Sequence, residues 1–304
     1  VVSKTIAIAA AAKINLYLHV TGRRDDGLHE LDSLIAFAAV HDTIALAPAD
    51  DIELTVGGPF AGALADNDNL VLTAARRLAE RANVQAGARI HLIKRLPVAS
   101  GIGGGSADAA AALRGLIRLW GLDPGAAVLA DLCIGLGADV PICFHGRTAH
   151  VGGIGELVET APSLPETPMV LVNTGIAVST PEVFARRSGP FSRPARLASP
   201  PSSAVDLATS LADRRNDLYA PACEVEPSIA AVVDILAASP GCLLARMSGS
   251  GATCFGLFAG LDEAHAAAAN LGKTNPGWWV VETRLISNAM TLVPDLYEAG
   301  PNRS

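Results

Sequence analysis

Three segments of the chain carry residues suited to handling phosphate, a proton and a hydroxyl group. The first is Pro97-Val98-Ala99-Ser100-Gly101-Ile102-Gly103-Gly104-Gly105-Ser106-Ala107, which places four glycines within five positions ahead of an Ala-rich helical pattern. Glycines let a backbone approach an anion closely and adopt positive φ. A helix start adds unpaired N–H groups and the positive end of a dipole. Ser106 could offer its hydroxyl to Mg²⁺ or to phosphate. Taken alone, the segment reads equally well as a tight turn with close helix packing. It is not a Walker A loop, because no Lys-Ser/Thr pair follows the last glycine. It is also a poor dinucleotide fingerprint, because Ser106 occupies the third glycine position counted from Gly101. The second segment, Ser248-Gly249-Ser250-Gly251-Ala252, is by itself a β-turn or bulge. Two such loops, one from each of two domains, could border one polyphosphate.

The third group is scattered. Lys13 opens a strand that is otherwise apolar on one face, where a snorkelling edge lysine is the commoner finding. Asp139 lies in Gly137-Ala138-Asp139-Val140-Pro141, just past an expected helix end, and on its own reads as a turn aspartate. His29 sits in a polar loop, and no second His or Cys stands at metal-ligand spacing from it.

The elements that must hold these groups follow from periodicity. Residues 5–20 read as strand, with Ile14, Leu16, Leu18 and Val20 alternating with Asn15, Tyr17 and His19 as on a half-buried strand. Lys4 followed by Thr5–Ala12 has the outline of a weak signal peptide. That apolar stretch is short and runs straight into Lys13-Ile14-Asn15-Leu16, so a first strand is the expectation. A polar turn covers 21–27, with strands expected at 31–38, 42–47, 51–56 and 88–96. Helices are expected over 69–82, from the glycine loop to Trp120, and over 124–136. Pro162, Pro165 and Pro168 mark a junction, placing a domain 1–160 before a domain 161–304. In the second part, a strand at 169–173, helices at 227–238 and 262–271 and strands near 243–247, 253–258 and 278–285 alternate as in a ferredoxin-like α+β sandwich. Residues 188–205, rich in Pro, Ser and Arg, read as a mobile surface loop.

Composition bounds the function. The chain has 304 residues, half of them hydrophobic, with a net charge of −7. A broad electrostatic grip on nucleic acid is not expected from that charge, although a few local cations can still hold a small anion. No apolar run reaches the roughly 18 residues a membrane helix needs. The five cysteines, Cys133, Cys143, Cys223, Cys242 and Cys254, form no CxxC pair and read as reduced thiols of a cytoplasmic protein.

Taken together, the loop at 97–107, the segment Ala12-Lys13-Ile14-Asn15-Leu16 and the turn at 248–252 resemble the three motifs of the GHMP kinase superfamily, in order and spacing. The resemblance narrows with Gly22-Arg23-Arg24-Asp25-Asp26-Gly27-Leu28-His29, Asp68-Asn69-Leu70 and Gly137-Ala138-Asp139-Val140-Pro141. Those segments are similar to the superfamily branch that phosphorylates a cytidine-diphosphate-linked methylerythritol for isoprenoid synthesis. The resemblance implies an α+β fold of two domains, ribosomal protein S5 domain 2-like and then ferredoxin-like. It implies ATP as donor with Mg²⁺, a small-molecule acceptor, and a monomer or weak homodimer without nucleic-acid or membrane partners. It implies Asp139 as general base on the hydroxyl, with Lys13 beside it as a cation for the transferring phosphoryl. Pro97 through Ala107 would wrap the ATP phosphates, with Asn69 and Lys94 near the nucleotide. Asn15, His29, Thr180, Phe184, Ser248, Gly249, Gly251 and Asp139 would meet the acceptor. His29 would stack on or hydrogen-bond a cytosine, with Phe184 on the other face. Leu28 departs from the family, which usually has an aromatic residue there.

Competing readings are a homoserine- or mevalonate-type kinase of the same superfamily, and a non-catalytic nucleotide-binding protein of this fold. A dinucleotide-dependent oxidoreductase ranks far below, for want of a fingerprint.

Overall fold

The computed structural model describes residues 5–64 and 69–297. Lys4 and Asp68, named above, lie outside them. The chain opens with two long strands, β1 (Ile6–Arg23) and β2 (His29–Ala49), in an antiparallel hairpin from Arg23↔His29 to Ile6↔Leu46. Its turn closes through Gly27 N–H to Arg24 O and Leu28 N–H to the Asp26 carboxylate, with Gly27 at φ 87°. Sequence reading expects two strands where β2 is one. Its outer half pairs with β4 (Gly87–Ile93), which pairs in parallel with β3 (Ile52–Gly57). Its inner half pairs with β5 (Ala149–Gly153), followed by β6 (Leu157–Thr160). Neither β5 nor β6 is foreseen, because both are short, β5 ending in two glycines and β6 carrying only two apolar residues.

Four helices cover this part: α1 (Leu70–Ala82), α2 (Gly104–Trp120), α3 (Ala126–Leu136) and α4 (Val140–His145). The alanines of α2 explain how closely it lies on the sheet. Ala109 to Ala112 are wholly buried, and a Cβ on Gly115 would come 2.2 Å from Leu46 Cδ1. The short helix α4, also unforeseen, begins directly after Asp139 with Pro141 in its first turn, where a missing N–H costs nothing.

The remaining strands are β7 (Thr167–Asn173), β8 (Cys242–Met247), β9 (Cys254–Phe258) and β10 (Trp279–Ile286), ordered β10-β7-β9-β8 and all antiparallel. With α8 (Ser228–Ala238) and α9 (Leu261–Thr274) as crossovers, this is the expected ferredoxin-like arrangement. Three shorter helices, α5 (Thr180–Arg186), α6 (Ala204–Leu211) and α7 (Tyr219–Val225), fall where the sequence shows no long period. The architecture is the expected two-part α+β fold, joined into one sheet where Leu285 and Ile286 of β10 pair with Ala38 and Phe37.

Two expectations change. β1 is not half-buried: Asn15, Tyr17 and His19 are as enclosed as Leu16 and Leu18. Its alternation separates two interior faces. The segment 188–205 is tied down in its middle. Asp32, buried in β2, accepts from Ala195 N–H at 2.7 Å and Arg196 Nε at 3.4 Å, and Arg196 also pairs with Glu159. A buried carboxylate needs such partners, and the strap supplies them. All five cysteines are unpaired, and no helix among the described residues is long and apolar enough to cross a membrane.

Candidate active site

The two glycine segments, far apart in sequence, are in contact. Thr253 N–H donates to Ser100 O at 3.0 Å, and Ser248 Oγ donates to Gly101 O at 3.2 Å. A Cβ on Gly101 would fall 2.5 Å from Ser248 O, and one on Gly249 would fall 2.7 Å from Gly101 O. Only glycine permits that approach, and both residues have positive φ. β1 closes the third side: Lys13 N–H donates to Ile102 O and Asn15 N–H to Ser248 Oγ.

Lys13 and Asn15, two apart on a strand, share a face. Lys13 Nζ donates to Asn15 Oδ1 at 2.8 Å and lies 3.0 Å from Asp139 Oδ2. Asn15 Nδ2 donates to Ser33 Oγ, which donates to Tyr17 O, so the ammonium sits on a fixed chain of hydrogen bonds. The lysine side chain is 5% exposed and Asp139 40%, so the open end of the pair is the carboxylate. Arg114 in α2 anchors α4 through Cys143 O at 2.7 Å and also reaches Ala9 O of β1. This fixes Asp139 relative to Lys13. A buried cation acting on carbonyls leaves no trace in local sequence pattern.

The helix α2 starts at this junction. Gly103 is its N-cap at φ 64°, and the first intrahelical donor is Ala107 N–H, so the amides of Gly104, Gly105 and Ser106 are left for a ligand or water. The three glycines differ. A Cβ on Gly103 would meet Lys13 Cε at 3.0 Å, and one on Gly104 would meet Lys94 Nζ at 3.1 Å. Gly105 is exposed with nothing within 4 Å of its Cβ position. Gly105→Val is therefore expected to melt at the wild-type temperature and to weaken ATP binding at least tenfold in calorimetry. Wild-type affinity would make the loop a turn and nothing more.

Lys94 lies directly beneath the glycine loop, its Nζ 3.1 Å from the Cβ position of Gly104. Expected near the nucleotide, its Nζ is fully buried, 2.5 Å from Asp42 Oδ2 and 2.7 Å from Asp108 Oδ2. Asp42 Oδ1 also accepts from the amides of Arg95 and Leu96. Burial alone would push Lys94 down, but the two carboxylates reverse this and raise it. Burial raises Asp108 well above the ordinary carboxylate range, Lys94 opposing and Asp42 reinforcing. The triad pins the entry of the loop at Lys94–Leu96 to the first turns of α2. Sequence reading missed Asp42 and Asp108. The signal was there: each is a lone carboxylate in an apolar run.

Among the acceptor residues, Thr180 Oγ1 lies 2.7 Å from Ser250 Oγ, which joins α5 to the second glycine turn. Gly251 lies at the junction of the two glycine turns, its O 2.7 Å from the Cβ position of Gly101, and a Cβ on Gly251 itself would meet Met247 Sδ at 2.8 Å. Asn69 caps α1 through Val71 N–H. His29 and Phe184 stack directly, centroids 5.2 Å apart at 24°, so no base fits between them. The expected sandwich therefore does not form from those two rings. Leu28, 48% exposed, stands next to the pair as an apolar surface. Burial first, then Arg23 and Arg187, hold His29 below its ordinary value, so the ring is neutral at pH 7, with one nitrogen donating and one accepting.

Two glycine turns meeting over a Lys–Asp pair, at the joint of these two α/β layers, define a kinase of the GHMP class. The family model for the GHMP kinases N terminal domain matches residues 69–147, and that for the GHMP kinases C terminal matches 207–277. The chain is 53% identical over 283 residues to the 4-diphosphocytidyl-2-C-methyl-D-erythritol kinase of Paramagnetospirillum magneticum, spanning 93% of this chain and 99% of the relative. It is 50% identical to that of Rhizobium etli, over 92% of this chain and 95% of the relative. A crystal structure of 4-(cytidine 5'-diphospho)-2C-methyl-D-erythritol kinase superposes with a TM-score of 0.76 at 33% identity, covering 92% of this chain and 99% of the other. Homoserine kinase from Cytophaga hutchinsonii shares the fold, with a TM-score of 0.73 at 16% identity and coverage of 95% and 97%. The chain belongs to the 4-diphosphocytidyl-2-C-methyl-D-erythritol kinase family of the GHMP kinases.

Proposed function

We propose that this chain transfers the γ-phosphoryl of ATP to the 2-hydroxyl of 4-diphosphocytidyl-2-C-methyl-D-erythritol, as a cytoplasmic enzyme acting as a monomer or weak homodimer. The observation that carries the reading is the Lys13–Asp139 pair, 3.0 Å apart beside two glycine turns in contact. Asp139 takes the hydroxyl proton at its open oxygen. Lys13, held by Asn15, supplies a fixed positive charge for the equatorial oxygens of the moving phosphoryl. The amides at the start of α2 receive the β- and γ-phosphates. In this reading the ATP domain runs through residue 160 and the acceptor domain from 161.

Mg²⁺ fits on modest terms. No group of three or more His, Cys, Asp or Glu able to hold a metal occurs among the described residues. That suits an ion carried mainly by phosphate oxygens and water, with one or two protein donors. Ser106, half-buried in the first turn of α2, is the donor in reach, and the ion would neutralise charge between the phosphates.

A coupled ADP-release assay over the cytidyl compound, mevalonate, homoserine and galactose tests the assignment. Turnover is expected with the cytidyl compound; equal turnover of mevalonate or homoserine would leave only the superfamily. His29→Ala is expected to raise the KM for the cytidyl substrate several-fold more than it lowers kcat, as for a binding group. A loss confined to kcat would assign His29 to the chemistry.

A further inference from the structure

A cavity of about 420 Å³ opens beside α5, α7 and β8, and no residue of the glycine turns, the Lys13–Asp139 pair or the proposed acceptor set lines it. Its volume is in the range of small-ligand pockets. Three arginines, Arg187, Arg215 and Arg246, line it with one acidic residue, Asp217. Asp217 is already engaged: Oδ1 lies 2.6 Å from Arg215 Nε, and Oδ2 accepts from Val20 N–H at 2.8 Å.

The other two arginines have no acidic partner among the described residues. Arg246 donates to Leu16 O and Arg214 O at 2.6 Å each and to Leu211 O at 3.2 Å. Arg187 donates to Gly189 O and Pro190 O, with its guanidinium 4.6 Å above the Phe191 ring. Carbonyls satisfy donors and leave the charge standing. Burial, with Arg214 adding to it, pushes Arg246 down to about 10, the mark of a cation short of its counter-charge. Two such cations on one cavity wall run against a chain whose net charge is −7. Val233, Ala245 and Ala220 give the remaining wall an apolar character.

We propose that this cavity is a second small-molecule site, taking a phosphate ester with a short apolar body, its phosphate held by Arg187 and Arg246. The guanidinium fork matches phosphate oxygens in geometry as well as charge. The wall also touches the reaction site at three points. Arg246 holds Leu16 O on the strand of Lys13 and Asn15. Asn216 Nδ2 donates to Gly249 O at 2.8 Å. Arg187 closes the end of α5, which carries Thr180 and Phe184. A ligand here therefore bears on both a glycine turn and the acceptor helix, and the coupling is reciprocal.

The test is calorimetric titration of butyl phosphate into the full chain saturated with both the cytidyl substrate and the β,γ-imido analogue of ATP. One further equivalent is expected to bind, more tightly than inorganic phosphate. Arg187→Glu, which reverses a charge on the wall, is expected to weaken it at least tenfold. Ala220→Trp, an exposed rim position on α7, is expected to abolish it by filling the mouth. Thermal melts identify the folded variants. Absence of saturable binding to the doubly saturated enzyme overturns the proposal, as does binding unchanged in both variants. Butanol or butyrate binding as tightly as butyl phosphate overturns the phosphate assignment.

Discussion

Asp139→Asn is expected to lower kcat by about 10²–10⁴-fold, the usual worth of general-base help. ATP and acceptor affinities are expected to survive, since neither glycine turn is touched. The substitution keeps shape and removes the acceptor of the hydroxyl proton. It also takes the carboxylate from Lys13, which keeps its hydrogen bond to Asn15 Oδ1 at 2.8 Å and so its position. Lys13→Met is expected to cut kcat as well. The double variant should lose less than the sum of the two free-energy costs, because the residues act as a unit. Asp139 also precedes the first turn of α4, without a side-chain cap bond there. A purely structural role would therefore show as lost folded protein. Steady-state kinetics beside a thermal melt separates the cases: near-normal kcat in folded Asp139→Asn enzyme removes the proposed mechanism.

Lys94→Met is expected to cost about 3–5 kcal/mol of stability, the penalty for stranding buried carboxylates without their cation. Asp42 and Asp108 would then face each other without a cation, at the point where the glycine loop joins α2. Asp108→Asn is expected to be milder, because an amide oxygen can accept from Lys94 in place of the carboxylate. The pH dependence fixes the sign. In Lys94→Met the folded state must keep carboxylates protonated that the unfolded chain releases above about pH 4. A folded pKa above the unfolded value means stability present in acid and lost as pH rises. The deficit against wild type should therefore narrow from pH 8 to pH 5 in denaturant melts. A deficit constant across that range would mean that lost packing, not unpaired charge, is what Lys94 prevents. A Lys94→Met enzyme of normal stability with weakened ATP binding would place Lys94 in direct service of the nucleotide.

Glycine spacing, the period-2 run of β1 and the Ala-rich pattern of α2 are local properties, and the chain's own residues determined them. Glycines at 101, 103, 249 and 251 take positive φ because the backbone there turns too tightly for a side chain. The ferredoxin-like order of β7 to β10 was likewise legible, because each strand and crossover helix has its own apolar period. What lies between such periods was not. The helices α4 to α7 and strands β5 and β6 are short segments fixed by what they pack on, as α4 is by Arg114. Side-chain company was decided only in three dimensions. Lys94 and Lys13 are both lysines at the edge of an apolar strand pattern. One is sealed between Asp42 and Asp108, while the other faces a partly exposed Asp139. The difference is set by the carboxylates that the fold delivers, one from β2 and one from α2 in the first case and one from the turn before α4 in the second. Sequence separation hides such pairings, because a charge has no periodicity and its partner can come from any strand the topology brings alongside.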